Sequence, residues 1–306
     1  MEKIKGRVAT AVSYAKQTDE NNMHSLIDMH MHSTASDGKY SPAELLEKIK
    51  ESQIRIFSMT DHDTVAGVRE MERLISAEDI EVQFVRGIEF SCKTAIGKCH
   101  ILGYNYNWDN KAFVAVLDKG KALRSQKLEQ RIDFLQRKHG IVFDNNDLST
   151  MRSMESVGKP HMAELIVKMG KAASISEAIK KFIDKCPTLN SRIPAEEVIS
   201  AIRAAGGIAV WAHPYGGVGE SRLEGEPFQK QLEYLIAAGL QGLECYYSRY
   251  TMKEVESLVR YAEENGLYIS GGSDCHGRKN YPEIGTLNAD DLLVEEKTLT
   301  ICNNFS

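Results

Sequence analysis

The sequence contains nine histidines, and where they fall matters more than their number. His30 and His32 stand two apart in LIDMHMH, so on an extended strand both imidazoles point to one face at the strand's C-terminal end. Two imidazoles on one face make a clamp for a metal ion. Further nitrogen and oxygen donors recur in the same kind of place. Asp37 lies in the following turn, His62 in TDHD, Glu89 at the end of GIEF, His100 at the start of HILGY, His213 in WAHP, and Asp274 with His276 in GSDCH. Nearly all mark the point where an apolar run gives way to a polar loop, the end of a parallel α/β barrel at which active sites are built. Asp61 and Asp63 flank His62, where at least one is placed to orient an imidazole, and Asp63 also has the position of an N-cap for the next helix. His24 and His139 read as solvated surface residues. His161, in KPHMAE, opens a helix from which it can present its ring to a ligand.

These donors need rigid elements behind them. LIDMHMH alternates as a strand, and SPAELLEKIKES opens a helix with Ser41 as N-cap, Pro42 in the first turn and Glu44 completing a capping box. A strand over 54–59 and a helix from about Thr64 repeat the unit. VQFVRGIEFS, HILGYN, GGIAVWAHP, GLECYY and LYISGG read as further strands, with helices in several of the gaps, which predicts a parallel α/β architecture. From about Trp108 to Asn190 the rhythm changes to helices with few strand candidates, a helical insertion. The tail offers a short polar segment and an edge strand at LTICN.

With 38 basic against 43 acidic residues and a net charge of −5, the 306-residue chain has no broad cationic surface for duplex nucleic acid. No apolar run reaches the roughly 18 to 20 residues of a membrane span and no signal-peptide core is present, so a cytoplasmic location is expected. The six cysteines include no C-x-x-C pair and read as free thiols. Walker, G-x-G-x-x-G and G-x-S-x-G patterns are missing, which counts against P-loop, Rossmann and serine-hydrolase chemistry.

DMHMHSTASDG, TDHDT, GIEFS, the isolated His100, WAHP and GSDCHG together resemble the PHP (polymerase and histidinol phosphatase) superfamily, in particular its stand-alone phosphoesterases acting on nucleotides. The resemblance covers roughly 26–105 and 190–280. It implies an α/β fold, a distorted (β/α)7 barrel of the PHP type with a helical insertion domain. The parts are an N-terminal extension (1–25), barrel segments at 26–107 and 191–285, a cap (108–190) and a C-terminal tail (286–306). It also implies two or three divalent metal ions. One would take His30, His32, Glu89 and Asp274, a second would share Glu89 with His100 and His213, and a third would take Asp37, His62 and His276; Glu89, His213 and Asp274 are the catalytic candidates.

Three divalent ions against three carboxylates leave a formal surplus of about three positive charges, which suits a phosphate monoester. Paired metals can also generate a hydroxide near neutral pH, and without thiolate ligands Mn, Fe and Zn all fit. The expected reaction is hydrolysis of a nucleoside 3′,5′-bisphosphate or a short 5′-phosphorylated, single-stranded oligonucleotide, with histidinol phosphatase or a non-catalytic PHP-like binding module as the alternatives. An amidohydrolase also begins with H-x-H, but its bridging lysine has no candidate. Arg124, Lys127, Lys159, His161, Arg192 and Arg249 are the residues to examine for a second phosphate or the base, and Tyr246 and Tyr247 read equally as stacking or core residues.

Overall fold

A computed structural model describes residues 25–305, apart from 79, 189, 190, 219 and 280. The N-terminal extension up to residue 24, with His24, lies outside the described residues. In the first unit, β1 (Ile27–Asp28) leads through the loop bearing His30, His32 and Asp37 to α1 (Pro42–Glu51). Ser41 Oγ accepts from Glu44 N–H and the Glu44 carboxylate accepts from Ser41 N–H, so the capping box forms as its sequence dictates. β2 (Ile56–Met59), α2 (Ala66–Glu78) and β3 (Gln83–Lys93) follow, and β1, β2 and β3 are parallel.

β4 (Lys98–Tyr104) then folds back antiparallel on β3 through a tight turn, with Thr94 N–H on the Gly97 carbonyl. This reversal departs from an all-parallel reading. It also explains why His100 sits near the beginning of its strand, because the start of an antiparallel strand lies at the same end of the sheet as the C-termini of its parallel neighbours. β3 runs on to Lys93, so Glu89 lies inside the strand and not at its end.

The second half of the barrel is β5 (Ile193–Pro194), α7 (Ala195–Ala204), β6 (Ile208–Trp211), α8 (Gly225–Ala237), β7 (Gly242–Tyr247), α9 (Met252–Glu264) and β8 (Tyr268–Gly272). The sheet order is β1-β2-β3-β4-β6-β7-β8, with β5 against β3. Met29 N–H on the Gly271 carbonyl, His32 N–H on the Cys275 carbonyl and Asp274 N–H on the His30 carbonyl bring the first and last strands together, leaving a nearly closed barrel.

Between the halves lie α3 (Lys111–His139), α4 (Asn145–Ser153), α5 (Lys159–Lys168) and α6 (Ile175–Ala178), the last continuing as a π-helical turn. The start of α3 packs Phe113, Val116 and Leu117 into the barrel core. Its second half contributes Leu128 and Leu135 to a separate core with Ile141, Phe143, Met162 and Ile166. One helix thus belongs to both bodies. His139 packs its ring against Phe134 and Phe182, so the solvated reading of this residue is corrected: the apolar face of the helix end recruits it.

The tail forms no edge strand. Residues Thr300–Asn304 make a 3-10 turn whose Ile301 and Cys302 are buried, and Thr300 Oγ1 takes the Ile269 N–H of β8, which a further strand would otherwise have needed. All six cysteines are free.

Candidate active site

The nine predicted donors converge at one end of the barrel. Glu89 is 1% exposed and five imidazoles surround its carboxylate. Its Oε1 faces His100 Nδ1 at 2.8 Å and His213 Nε2 at 3.1 Å. Its Oε2 faces His62 Nδ1 at 3.0 Å, His32 Nε2 at 3.3 Å and His30 Nε2 at 3.4 Å. The two oxygens therefore look into two separate clusters. Asp274 Oδ1 completes the first, 3.2 Å from His32 Nε2 and 3.6 Å from His30 Nε2. A third cluster brings Asp37 Oδ1 within 3.3 Å of His276 Nε2 and 3.9 Å of His62 Nε2.

Among the described residues, donor atoms within 4.8 Å of one another occur in four groups: His32, Asp37, His62 and His276; His30, His32 and Asp274; His62, Glu89 and His100; and His100, His213 and Glu220. The residues fit cations. Asp37 Oδ1 is buried, has no hydrogen-bond partner among the described residues and faces imidazole nitrogens. Burial opposes ionisation of Asp37 and Glu89, yet the surrounding histidines outweigh it and hold both carboxyls well below the usual carboxylate range. Conversely, burial works against charge on His30, but Glu244, Glu89 and Asp274 hold its pKa well above the ordinary value. The carboxylates draw positive charge into this pocket.

A surrounding layer fixes the donors. Glu244 accepts from His30 Nδ1 at 2.7 Å and from the His213 N–H at 2.7 Å. Tyr247 OH donates to Asp274 Oδ2 at 2.8 Å, and Glu220 Oε2 lies 3.1 Å from His213 Nδ1. Asp28 accepts from the N–H groups of His30, Ser273 and Gly285; burial pushes its carboxyl up to about 6 against the pull of those bonds. Sequence reading missed Glu244, Glu220 and Asp28. The available signal was an acid inside apolar strand sequence, in LIDMH and GLECYY, where an unpaired carboxylate is costly.

Asp61 does not meet an imidazole. It accepts from Ser33 N–H and Oγ and from Ser36 Oγ, tying down the loop after His32. Asp63 does not cap α2 either: its oxygens take the Ser91 N–H at 3.0 Å and Arg124 Nε at 2.6 Å, while Thr64 Oγ1 accepts from Ala66 N–H. A left-handed φ of 51° turns Asp63 away from the helix, and His213 (28°) and Asp274 (58°) share that costly region. Gly272 is required beside them, since a Cβ there would lie 2.3 Å from His30 Cβ.

Of the cations singled out, Arg124 is bound by Asp63, Ser91 Oγ and the Val157 carbonyl, and Lys159 pairs with Asp184 at the surface. His161 Nδ1 accepts from Gly158 N–H at the start of α5, a turn seated so close to Asp37 that a Cβ on Gly158 would be 3.2 Å from it. Arg249 is exposed, and Arg192 donates to the carbonyls of Cys92 and Cys99. Tyr246 and Tyr247 are both buried, and Tyr247 spends its hydroxyl on Asp274.

The chain is 31% identical over 261 residues to a 5′-3′ exoribonuclease of Haemophilus influenzae, covering 84% of this chain and 92% of the relative. It is 26% identical to a 3′,5′-nucleoside bisphosphate phosphatase of Chromobacterium violaceum over 82% of this chain and 87% of that one. A solved structure from Bifidobacterium adolescentis, described as a metal-dependent phosphoesterase, superposes with a TM-score of 0.76 at 26% identity, covering 90% of this chain and 95% of the other. The PHP domain model matches residues 28–269, a span that carries seven of the nine donors, with Asp274 and His276 just beyond it, and the chain belongs to the PHP domain family.

Proposed function

We propose that this protein is a metal-dependent phosphoesterase that removes phosphate from small nucleotides, namely a nucleoside 3′,5′-bisphosphate or a short 5′-phosphorylated oligonucleotide. The observation that carries the reading is the divided environment of Glu89, whose two oxygens serve two clusters of imidazoles. His30, His32, Glu89 and Asp274 would hold one divalent ion, Glu89, His100 and His213 a second, and Asp37, His62 and His276 a third. Mn, Fe and Zn all accept this imidazole and carboxylate set. Bound divalent ions supply Lewis acidity at the phosphoryl oxygens and water of near-neutral pKa.

The chain's own residues do the rest. Glu244 and Tyr247 hold His30 and Asp274 in register, and Asp61 and Asp28 fix the loops that carry the histidines. The helices over 108–190 act as a cap that narrows the entrance, with His161 at the start of α5 and the exposed Arg249 placed to meet the nucleotide beyond the reacting phosphate. Relatives acting on a nucleoside bisphosphate and on RNA from its 5′ end agree with a small phosphorylated nucleotide as substrate. Among the described residues no helix is long and apolar enough to cross a membrane.

The test is phosphate release by the Mn²⁺-reconstituted protein from adenosine 3′,5′-bisphosphate, adenosine 5′-monophosphate, a 5′-phosphorylated dinucleotide, histidinol phosphate and an aryl phosphate. Turnover of the nucleotides above the other two supports the reading. Preference for histidinol phosphate overturns it.

A further inference from the structure

Of the nine donors, Asp37 stands furthest beyond its strand: β1 ends at Asp28, and α1 begins only at Pro42. The first half of that loop is tied down by Ser33 and Ser36 on Asp61. The Asp37 backbone is held from elsewhere. Arg278, in the loop that carries His276, donates to the Asp37 carbonyl from Nε at 3.1 Å and from Nη2 at 2.9 Å. Lys39 N–H on the His276 carbonyl at 2.9 Å is a second tie between the same two loops. Together these bonds fix the two segments whose side chains meet at 3.3 Å, Asp37 Oδ1 and His276 Nε2.

The remaining arm of the guanidinium leaves the barrel. Arg278 Nη1 donates to Glu164 Oε1 at 2.6 Å, on α5 of the cap, and Lys39 Nζ reaches the same oxygen at 2.6 Å. The start of α5 touches the loop again, because Gly158 is seated against the Asp37 side chain. The Arg278 side chain is only 7% exposed, unlike the outer ion pair of the cap, Arg152 with Glu129, where both partners are exposed. A guanidinium beside a site for cations opposes them by its charge. Its place there needs a compensating use, and the contacts offer one: it holds Asp37, while Glu164 offsets the charge and sets which edge of the rigid planar fork faces the carbonyl.

We infer that Arg278 is a positioning residue that makes the cluster of Asp37, His62 and His276 depend on the docking of α5 through Glu164, so that the cap and the third ion strengthen each other. This rests on the metal-dependent reading and adds to it a link between the third ion and the cap. The coupling is reciprocal by thermodynamic necessity: if docking of α5 tightens the ion, the ion tightens the docking of α5.

The experiment compares wild type, Arg278→Met, Glu164→Gln and the control Arg152→Met, which breaks an ion pair on the outside of the cap. Equilibrium dialysis against Mn²⁺ is expected to show three ions in wild type, and in Arg278→Met one of the three weakened by roughly 10- to 100-fold, the usual effect of losing a residue that orients a metal ligand. Glu164→Gln weakens the same ion, and Arg152→Met weakens none. Hydrogen exchange reads the reverse direction: saturating Mn²⁺ is expected to slow the amides of α5 relative to those of α9 in wild type and in Arg152→Met, and to lose that effect in Arg278→Met. Tighter ion binding in Arg278→Met, the sign expected if charge alone mattered, overturns the inference. So does equal weakening of all three ions with a fall in Tm, the signature of a merely structural role, and so does Mn²⁺ protection of α5 that survives in Arg278→Met. A wild type that takes only two ions has no third site to position and overturns it as well. Should Arg278→Met not fold, Glu164→Gln decides by the same readings. Should the reconstituted enzyme release phosphate from no nucleotide, the phosphoesterase reading fails while dialysis and exchange still decide the coupling.

Discussion

Replacing Glu244 by Gln tests how the buried carboxylates govern the metal-type clusters. Glu244 is fully buried and accepts two bonds, from His30 Nδ1 and from the His213 N–H, both at 2.7 Å. A carboxylate in that place accepts only, so Nδ1 of His30 keeps its proton and Nε2 turns its lone pair toward His32, Glu89 and Asp274. The amide has one accepting oxygen for two donors. If that oxygen stays on the His213 N–H, the NH₂ faces His30 Nδ1 and the imidazole must move its proton to Nε2, where an ion would bind. In the reverse orientation, the buried His213 N–H is left opposite a donor. Either way one charge-assisted hydrogen bond of about 1.5 to 3 kcal/mol is lost. At about 1.4 kcal/mol per decade this weakens ion binding by roughly 10- to 100-fold, the usual effect of losing a residue that orients a metal ligand. Equilibrium dialysis against Mn²⁺ is expected to show this shift, with most turnover recovered at saturating metal. An unchanged affinity, or an activity loss that excess metal does not rescue, refutes the reasoning.

Glu89→Gln is expected to lower phosphate release by at least about a thousandfold with circular dichroism unchanged, because the amide serves two clusters less well; Asp63→Asn, which keeps an acceptor for Ser91 N–H, should cost about tenfold, and equal losses would contradict the separation. Between about pH 6 and 10 the unfolded chain binds a proton at Lys127 that the folded chain does not, since the folded pKa lies below the unfolded one. Stability of wild type in urea should therefore rise with pH across that window, and Lys127→Met should flatten the rise. Gly272→Ala places a Cβ 2.3 Å from His30 Cβ and is expected to destabilise the fold by about 2 kcal/mol or more, read from urea midpoints.

The donor set was legible because metal ligation demands imidazoles and carboxylates at strand ends, and those types are conspicuous beside apolar strand residues. His100 was legible as a donor, but the reversal of β4 that brings it to the right end was not, since hydrophobic alternation carries no strand direction. The extension of β3 past Glu89 was hidden for a related reason: FSCK pairs with KCHI across a hairpin, a tertiary fact. Asp63 reads locally as a cap, and only the approach of α3 with Arg124 gives its carboxylate another use. LTICN has strand composition, yet the β8 position it would pair with is occupied by a threonine side chain. Arg278 was missed outright, because a buried cation in a loop looks like any exposed one until the facing body is known.

The most direct test of the central claim is phosphate release from adenosine 3′,5′-bisphosphate before and after chelation, with metal content measured on the same samples. The account predicts more than one divalent ion per chain after reconstitution, release that vanishes with the metal, and release that returns with added Mn²⁺. Less than one ion per chain at saturating Mn²⁺, or release that survives complete removal of metal, would contradict it.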